Sequence, residues 1–365
     1  MKRYGNIYKK IYTTENLKEA HAKARADKTH YKDVRMVDGD PERYLAEIQK
    51  MLIEKSYQVS QYNISTINDK GKEREIWKLP YFPDRIIQWA IMLQTEKIFT
   101  ETFCYHTCAS LKGRGIKQAW GLVRKYLKDK DGTRYCLKID VSKFYPNINH
   151  EILKRLLRKK LKDPDLLWLF DTIIDSYPGK KGVPIGSYLS QYLANFYLAY
   201  FDHWLKESCG ARYCVRYMDD YVIFHTSKEW LHVLLRKIKT YISRELNLVL
   251  KPNYQVFPVD ARGVDFVGYR FFHEYILLRK GTLWRFKRLC LRVREKQDAG
   301  EPPNQKEWAG VNSYVGWVMW CDSYRLYDKY INPILPSMAW FYYGDSRKDY
   351  SWYLAMLQEK KGGVA

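Results

Sequence analysis

Tyr213-Cys214-Val215-Arg216-Tyr217-Met218-Asp219-Asp220-Tyr221-Val222-Ile223-Phe224-His225-Thr226 is the stretch that decides the fold. Tyr213–Tyr217 and Tyr221–Thr226 are rich in aromatic and β-branched residues, as short strands are, and Met218-Asp219-Asp220 separates them. A turn that needed only turn residues would use Asn-Gly or Asp-Gly. Two carboxylates about 4 Å apart repel by about 4 kcal/mol at an effective dielectric of about 20. A divalent cation removes that repulsion and gives the pair a use. Taken alone, an Asp-Asp pair reads as a solvated acidic turn.

The pair is not alone. Leu137-Lys138-Ile139-Asp140-Val141-Ser142-Lys143-Phe144-Tyr145 places a further acid at the end of another strand, expected over 134–139. Three acids on adjoining strand ends can hold two Mg²⁺ ions about 4 Å apart, the arrangement that activates a 3′ hydroxyl and steadies a leaving pyrophosphate. Mg²⁺ suits such a site because it binds few carboxylates and keeps phosphates and water as its other ligands.

Further out, residues 15–27 and 41–55 read as helices, the second starting at Asp40-Pro41-Glu42. Residues 57–68 alternate as a strand, Asn68-Asp69-Lys70-Gly71-Lys72 supplies a turn, and Arg74–Leu79 returns. Pro83-Asp84 opens a helix to about Glu96, a basic helix follows over 149–162, and a long helix reaches about Leu205 after the 179–186 loop. This mixed order argues for an α+β fold.

Lys plus Arg is 63 against 41 Asp plus Glu, a formal charge of +22 in 365 residues. That excess points to a polyanionic partner, nucleic acid first. The best apolar run, Ile86–Leu93, is far shorter than the roughly 20 residues needed to cross a bilayer, and no signal core follows Met1, so a cytoplasmic chain with no membrane partner is expected. Seven Cys without a CxxC pair read as reduced thiols; Cys104-Tyr105-His106-Thr107-Cys108 lacks the spacing of common zinc sites.

Tyr217-Met218-Asp219-Asp220 between strands resembles the metal-binding motif of reverse transcriptases. Asp140 to Tyr145 resembles their first acidic motif. Gly182-Val183-Pro184-Ile185-Gly186-Ser187-Tyr188-Leu189-Ser190-Gln191 resembles the loop and helix between the two. Arg74-Glu75-Ile76 with Pro80 and Asp84-Arg85-Ile86-Ile87-Gln88 resembles the fingers motif, and Val267-Gly268-Tyr269 the turn that grips the primer. Ile185 stands where group II intron enzymes usually carry Gln. The string Ile185-Gly186-x-x-x-Ser190-Gln191, together with Ser313-Tyr314-Val315-Gly316-Trp317, is similar to the reverse transcriptases of diversity-generating retroelements. A group II-like or defence-associated bacterial enzyme is the nearer alternative, and a nucleic-acid-binding scaffold without catalysis the remote one.

The resemblance implies a right-hand polymerase: fingers over 1–135 with a return at 150–180, palm over 136–270, and a helical thumb over 271–365. It implies an RNA-directed DNA polymerase, in a bacterial or phage-infected cell, copying template RNA into error-prone cDNA for mutagenic retrohoming. Asp140, Val141, Asp219 and Asp220 would hold two Mg²⁺ ions. Tyr145 falls at the steric gate below the sugar, and Lys72 and Arg74 would meet the incoming deoxynucleoside triphosphate. Ile185 and Gln191 would adjoin that nucleotide, and Lys251 the leaving pyrophosphate. Lys112, Arg114, Lys159, Gly268, Arg285 and Arg288 would contact template or the cDNA/RNA hybrid. The basic run Lys154, Arg155, Arg158, Lys159, Lys160 and Lys162 reads as a phosphate-facing helix, since an almost acid-free run resists its own repulsion. The resemblance also implies a small, basic, pentameric accessory protein.

Overall fold

The computed structural model describes residues 2–69, 71–184 and 187–334, without the side chains of residues 69, 72 and 74. Ile185 and the side chains of Lys72 and Arg74 therefore lie outside the described residues. The chain packs as two compact units, Met1–Leu122 with Asp131–Phe257, and Val123–Lys130 with Pro258–Ala365.

In the first unit the helices Thr14–Arg25 and Pro41–Ile53 start at caps the sequence supplies: Thr13 accepts from the Asn16 amide and Asp40 from the Arg43 amide. Each buries one stripe, Leu17, Ala20 and Ala24 in the first and Leu45, Ile48 and Leu52 in the second. The Ile86–Thr102 and Tyr188–His203 helices bury residues on most of their faces and form the centre of the core. A four-stranded sheet lies with them, in the order β4-β5-β3-β6, where β3 is Tyr135–Asp140, β4 Tyr213–Tyr217, β5 Asp220–His225 and β6 Gln255–Pro258. Leu231, Leu234, Ile238 and Ile242, one face of the Lys228–Leu246 helix, join Leu137, Ile139 and Ile223 of the sheet in one hydrophobic cluster. A separate antiparallel hairpin pairs β1 (Asn63–Asp69) with β2 (Lys72–Lys78).

One expected boundary moves: the first strand begins at Asn63 rather than 57, whereas the helix opens where expected, a helical turn over Tyr81–Arg85 running straight into Ile86–Thr102. Asp84 is fully buried and accepts from the Tyr57 hydroxyl at 2.7 Å and the Ser60 amide at 3.1 Å. Residues 57–60 are thus pinned by a side chain where a strand ladder was expected. The basic helix, His150–Lys160, also differs from expectation. Lys154 pairs with Asp175 at 2.7 Å and Arg158 with Asp171 at 2.5 Å, both acids coming from the Pro164–Asp175 helix. Part of its repulsion is relieved inside the fold, so the need for a polyanion is weaker than the sequence run suggests.

The second unit holds a three-stranded antiparallel sheet, β7 (Val264–Phe266), β8 (Tyr269–Phe271) and β9 (Ile276–Leu278), followed by the helices Lys280–Asp298 and Gln305–Val318. The Val267-Gly268 turn joins β7 to β8 with φ of 41° and 93°. A Cβ on Gly268 would lie 2.2 Å from the Trp317 ring. Trp317 cannot easily yield: it stacks on Tyr269 at 5.4 Å, whose hydroxyl donates to the Trp317 carbonyl at 3.1 Å. Two motifs 45 residues apart in sequence, at Val267-Gly268-Tyr269 and Ser313–Trp317, are thus one packing unit.

Gly268→Ala should therefore destabilise the second unit by about 1–3 kcal/mol, from the left-handed backbone and the ring clash together. Thermal unfolding of the variant checks this, and an unchanged melting temperature would contradict the packing argument.

Candidate active site

β4 and β5 close on the pair Tyr217↔Asp220, which leaves Met218-Asp219 as a two-residue turn. Met218 takes the left-handed backbone, φ 57°, that such a tight turn demands. On its other side β5 pairs with β3 up to Asp140↔Asp220, and the Val141 amide donates to the Asp219 carbonyl at 3.3 Å. The ladder thus brings Asp140, Asp219 and Asp220 to one end of neighbouring strands. The segment after the Lys228–Leu246 helix runs alongside: Ser142 donates its amide to the Val249 carbonyl and Lys251 its amide to the Asp140 carbonyl, both at 2.8 Å.

The three acids have different surroundings. Asp140 Oδ2 lies 2.5 Å from Lys251 Nζ, while its Oδ1 is buried and has no hydrogen-bond partner. Asp220 Oδ2 lies 3.5 Å from Lys138 Nζ. The Asp219 carboxyl is pushed up to about 7, first by burial and then by the Asp140 carboxylate beside it. A buried oxygen without a partner, beside an Asp219 carboxyl that burial makes reluctant to ionise, suits a hard divalent cation. Among the described residues no three His, Cys, Asp or Glu side chains already surround one point. Mg²⁺ does not require a closed cage, since substrate phosphates and water ordinarily complete its shell.

Arg216 underlies this turn, and reading the sequence for acids passed over it. Its side chain and that of Asp202 are fully buried, with Nη2 to Oδ2 at 2.7 Å and Nε to the same oxygen at 2.8 Å. Nη1 donates to the Asn195 side-chain oxygen at 2.9 Å and to the Met218 carbonyl at 3.0 Å. Thr107 and Tyr221 donate their hydroxyls to Asp202, each at 2.9 Å. Asn195 and Asp202 sit seven residues apart on the Tyr188–His203 helix, about two turns and so on one face. That helix therefore grips the acidic turn through Arg216.

Tyr145, the expected gate, is near the same turn. Its hydroxyl donates to Met218 Sδ at 3.7 Å, and burial, then Asp219, pushes its pKa up to about 12. Gln191 is half-buried in the opening turn of the Tyr188–His203 helix. Lys112 is exposed, whereas Arg114 donates through Nη1 to the carbonyls of Cys104 and Thr107 at 2.9 and 3.0 Å, which commits part of it to the fold. Cys104 and Cys108 are buried, their thiols raised to about 12 chiefly by burial. Lys159 is exposed, 5.2 Å over the Tyr200 ring. In the second unit Arg285 and Arg288 are exposed on the Lys280–Asp298 helix, with Arg288 5.5 Å over exposed Trp284. No helix among the described residues is long and apolar enough to cross a membrane.

Residues 65–271 match the family described as Reverse transcriptase (RNA-dependent DNA polymerase). Protein YkfC of Escherichia coli K12 is 26% identical over 147 residues, 38% of each chain. Nuclear intron maturase 4, mitochondrial, of Arabidopsis thaliana is 26% identical over 152 residues, 39% of this chain and 18% of the relative. The Putative COX1/OXI3 intron 2 protein of Saccharomyces cerevisiae is 24% identical over 135 residues, 34% and 15%. The matched segment thus spans between 15% and 38% of these curated relatives. The family match covers more than half of the 365 residues and contains the acidic turn, the Asp140 strand and the Arg216 clamp. The chain has the α+β, right-hand polymerase fold class and belongs to the reverse transcriptase family.

Proposed function

We propose that this chain is the error-prone, RNA-directed DNA polymerase of a diversity-generating retroelement, writing cDNA from a template RNA for mutagenic retrohoming. The observation that carries the polymerase reading is the convergence of Asp140, Asp219 and Asp220 at one end of the β3–β5–β4 ladder. Fingers over 1–135 with a return at 150–180, palm over 136–270 and thumb over 271–365 are the lobes that go with it. When bound, two Mg²⁺ ions would make the primer 3′ hydroxyl acidic and offset charge on the departing pyrophosphate. Asp140, Asp219, Asp220 and the backbone at Val141 are the groups to hold them. Lys251, already against Asp140, would supply fixed positive charge toward the leaving group. Tyr145 would form the floor under the deoxyribose, with Gln191 and Ile185 near the new pair and Lys72 and Arg74 on the triphosphate. Lys112, Arg114, Lys159, Gly268, Arg285 and Arg288 are the proposed contacts to template and hybrid.

The narrower retroelement assignment is supported by Ile185-Gly186-x-x-x-Ser190-Gln191 and Ser313–Trp317, and a small basic pentameric accessory protein and a bacterial or phage-infected cytoplasm go with it. An intron-type enzyme is the second reading, favoured by the names of two relatives. A template repeat and variable repeat flanking the coding sequence would decide for the first; an intron RNA flanking it, for the second.

Three outcomes are expected. Asp219→Asn lowers primer extension by more than about a hundredfold, because even outer partners of metal ligands are worth about 10–100-fold. The same variant has a signature without catalysis. The Asp219 pKa is about 7 in the folded chain and about 3.9 unfolded, so the folded state alone keeps the proton between those values. This stabilisation is complete below the unfolded value and is lost as pH rises through the folded one. In chelator at pH 8 Asp219→Asn should melt a few degrees above wild type, and added Mg²⁺ should narrow the gap by stabilising wild type. A variant that extends primers normally, or melts lower at pH 8, contradicts the site. Secondly, Tyr145→Ala should admit ribonucleotides, and an unchanged preference for deoxynucleotides in single-nucleotide incorporation would place the gate elsewhere. Thirdly, Ile185 has no donor or acceptor, and one missing hydrogen bond of about 1 kcal/mol relaxes geometric checking by about fivefold. Ile185→Gln should lower errors opposite template adenine at retained yield. Deep sequencing of cDNA from both proteins checks this, and equal error rates would oppose the assignment.

A further inference from the structure

Lys180–Gly182 runs antiparallel to Ile148–His150, and a side chain completes the pairing. Asn149 and Lys181 form an isolated antiparallel bridge. The His150 amide donates to the Lys180 carbonyl at 3.1 Å and the Gly182 amide to the Ile148 carbonyl at 2.7 Å. In a regular ladder the Ile148 amide would return a bond to the Gly182 carbonyl. Here the chain before Ile148 winds into a helical turn, Phe144–Asn147, and the Ile148 amide faces the Tyr145 carbonyl at 3.5 Å. The buried Gly182 carbonyl is answered instead by the His150 imidazole, with Nε2 at 2.7 Å. A carbonyl oxygen only accepts, so Nε2 carries the proton.

The imidazole is firmly placed for this bond. His150 is 2% exposed and is the first residue of the His150–Lys160 helix, whose start is capped by Asn149. Its Nδ1 faces the Asp175 carboxylate at 3.9 Å. The loop cannot settle elsewhere without cost. Gly182 has φ 100°, and a Cβ there would lie 2.5 Å from the Tyr177 ring and 3.4 Å from the Pro146 carbonyl.

One residue further on, the Val183 amide donates to the Tyr145 carbonyl at 3.2 Å. Val183-Pro184 then leads directly into Ile185. The backbone of Tyr145 and the chain entering Ile185 thus meet at one junction, beside the His150–Gly182 bond. Without that bond the buried carbonyl has no donor, and the loop must shift to find one. Such a shift moves Tyr145 and leaves the acids alone, since strand pairing and Arg216 hold those.

We infer that His150 is a positioning residue for sugar selection: through the Gly182 carbonyl it holds Tyr145 at the height that admits a deoxyribose and excludes a 2′ hydroxyl. The inference rests on the proposed reading of Tyr145 as the gate. His150 is buried, so it acts through Tyr145 and not on the substrate.

The test is single-nucleotide incorporation on a primed RNA template, with kcat and KM measured for a deoxynucleotide and its ribonucleotide. His150→Leu should raise KM for the deoxynucleotide and lower the preference for it over the ribonucleotide, each by about three- to tenfold, the range one lost hydrogen bond covers. Its kcat should change less. His150→Gln, which keeps an amide donor near the position of Nε2, should recover most of the preference. If His150→Leu does not fold, His150→Asn carries the comparison, since its shorter amide stops short of the carbonyl. A merely structural role would lower the melting temperature and kcat together and leave KM and the preference unchanged; that result overturns the inference. Tyr145→Ala in the same assay separates the two claims. Lost preference in Tyr145→Ala with wild-type preference in the His150 variants refutes the role of His150 alone. Unchanged preference in Tyr145→Ala refutes the gate reading, and the inference with it.

Discussion

The buried guanidinium of Arg216 is the constraint on which the acidic turn depends. Met218 must adopt a left-handed backbone for β4 and β5 to meet in a two-residue turn, and its carbonyl then points inward. An inward carbonyl without a donor costs about 1–3 kcal/mol, and Arg216 supplies the donor. Arg216 is itself tolerable only because Asp202 cancels its charge and Asn195 and Thr107 satisfy its remaining hydrogens. Removing either member of such a buried pair costs about 3–5 kcal/mol, although replacing both with apolar groups is often neutral. Stability alone is therefore a weak reason for the pair. What apolar packing cannot do is hold a backbone carbonyl, and with it the position of Asp219, from the adjoining Tyr188–His203 helix.

The parts of the fold that announce themselves in sequence are those with short-range signals. Asp40-Pro41 marks a helix start, and Tyr213–Thr226 marks a hairpin by composition and by its odd acids. Proximity of Asp140 to the Asp219 turn followed from two strands ending in acids, and the ladder joins them as that pattern implies. Long-range satisfaction is what the sequence hides. Nothing near Asp84 shows that it will anchor residues 57–60, and nothing near Arg158 shows that Asp171 will neutralise it. Arg216 was visible as a residue but not as a need, because its need arises from a carbonyl orientation that exists only after the turn has formed. The Pro164–Asp175 helix did carry a local signal, since Asp163-Pro164 caps it. The Gly268 turn was recognisable as a motif, whereas its dependence on Trp317 is a matter of packing alone.

Charge is distributed on two scales, and they serve different ends. Over the whole chain the excess is +22, which attracts a polyanion at a distance and weakens as salt screens it. At the acidic centre the balance is nearly local. Lys251 stands against Asp140 and Lys138 against Asp220, while Asp219 tends to keep a proton. Arg216 is set apart from this balance by its own buried partner, Asp202. A centre so compensated does not repel an incoming polyphosphate as three bare carboxylates would. Were divalent cations held by the acid oxygens, Lys251 and Lys138 would be released from Asp140 and Asp220 to face phosphate oxygens. The same side chains would then quiet the acids at rest and receive substrate charge in the loaded site, which is a more demanding arrangement than either an acidic cluster or a basic groove alone.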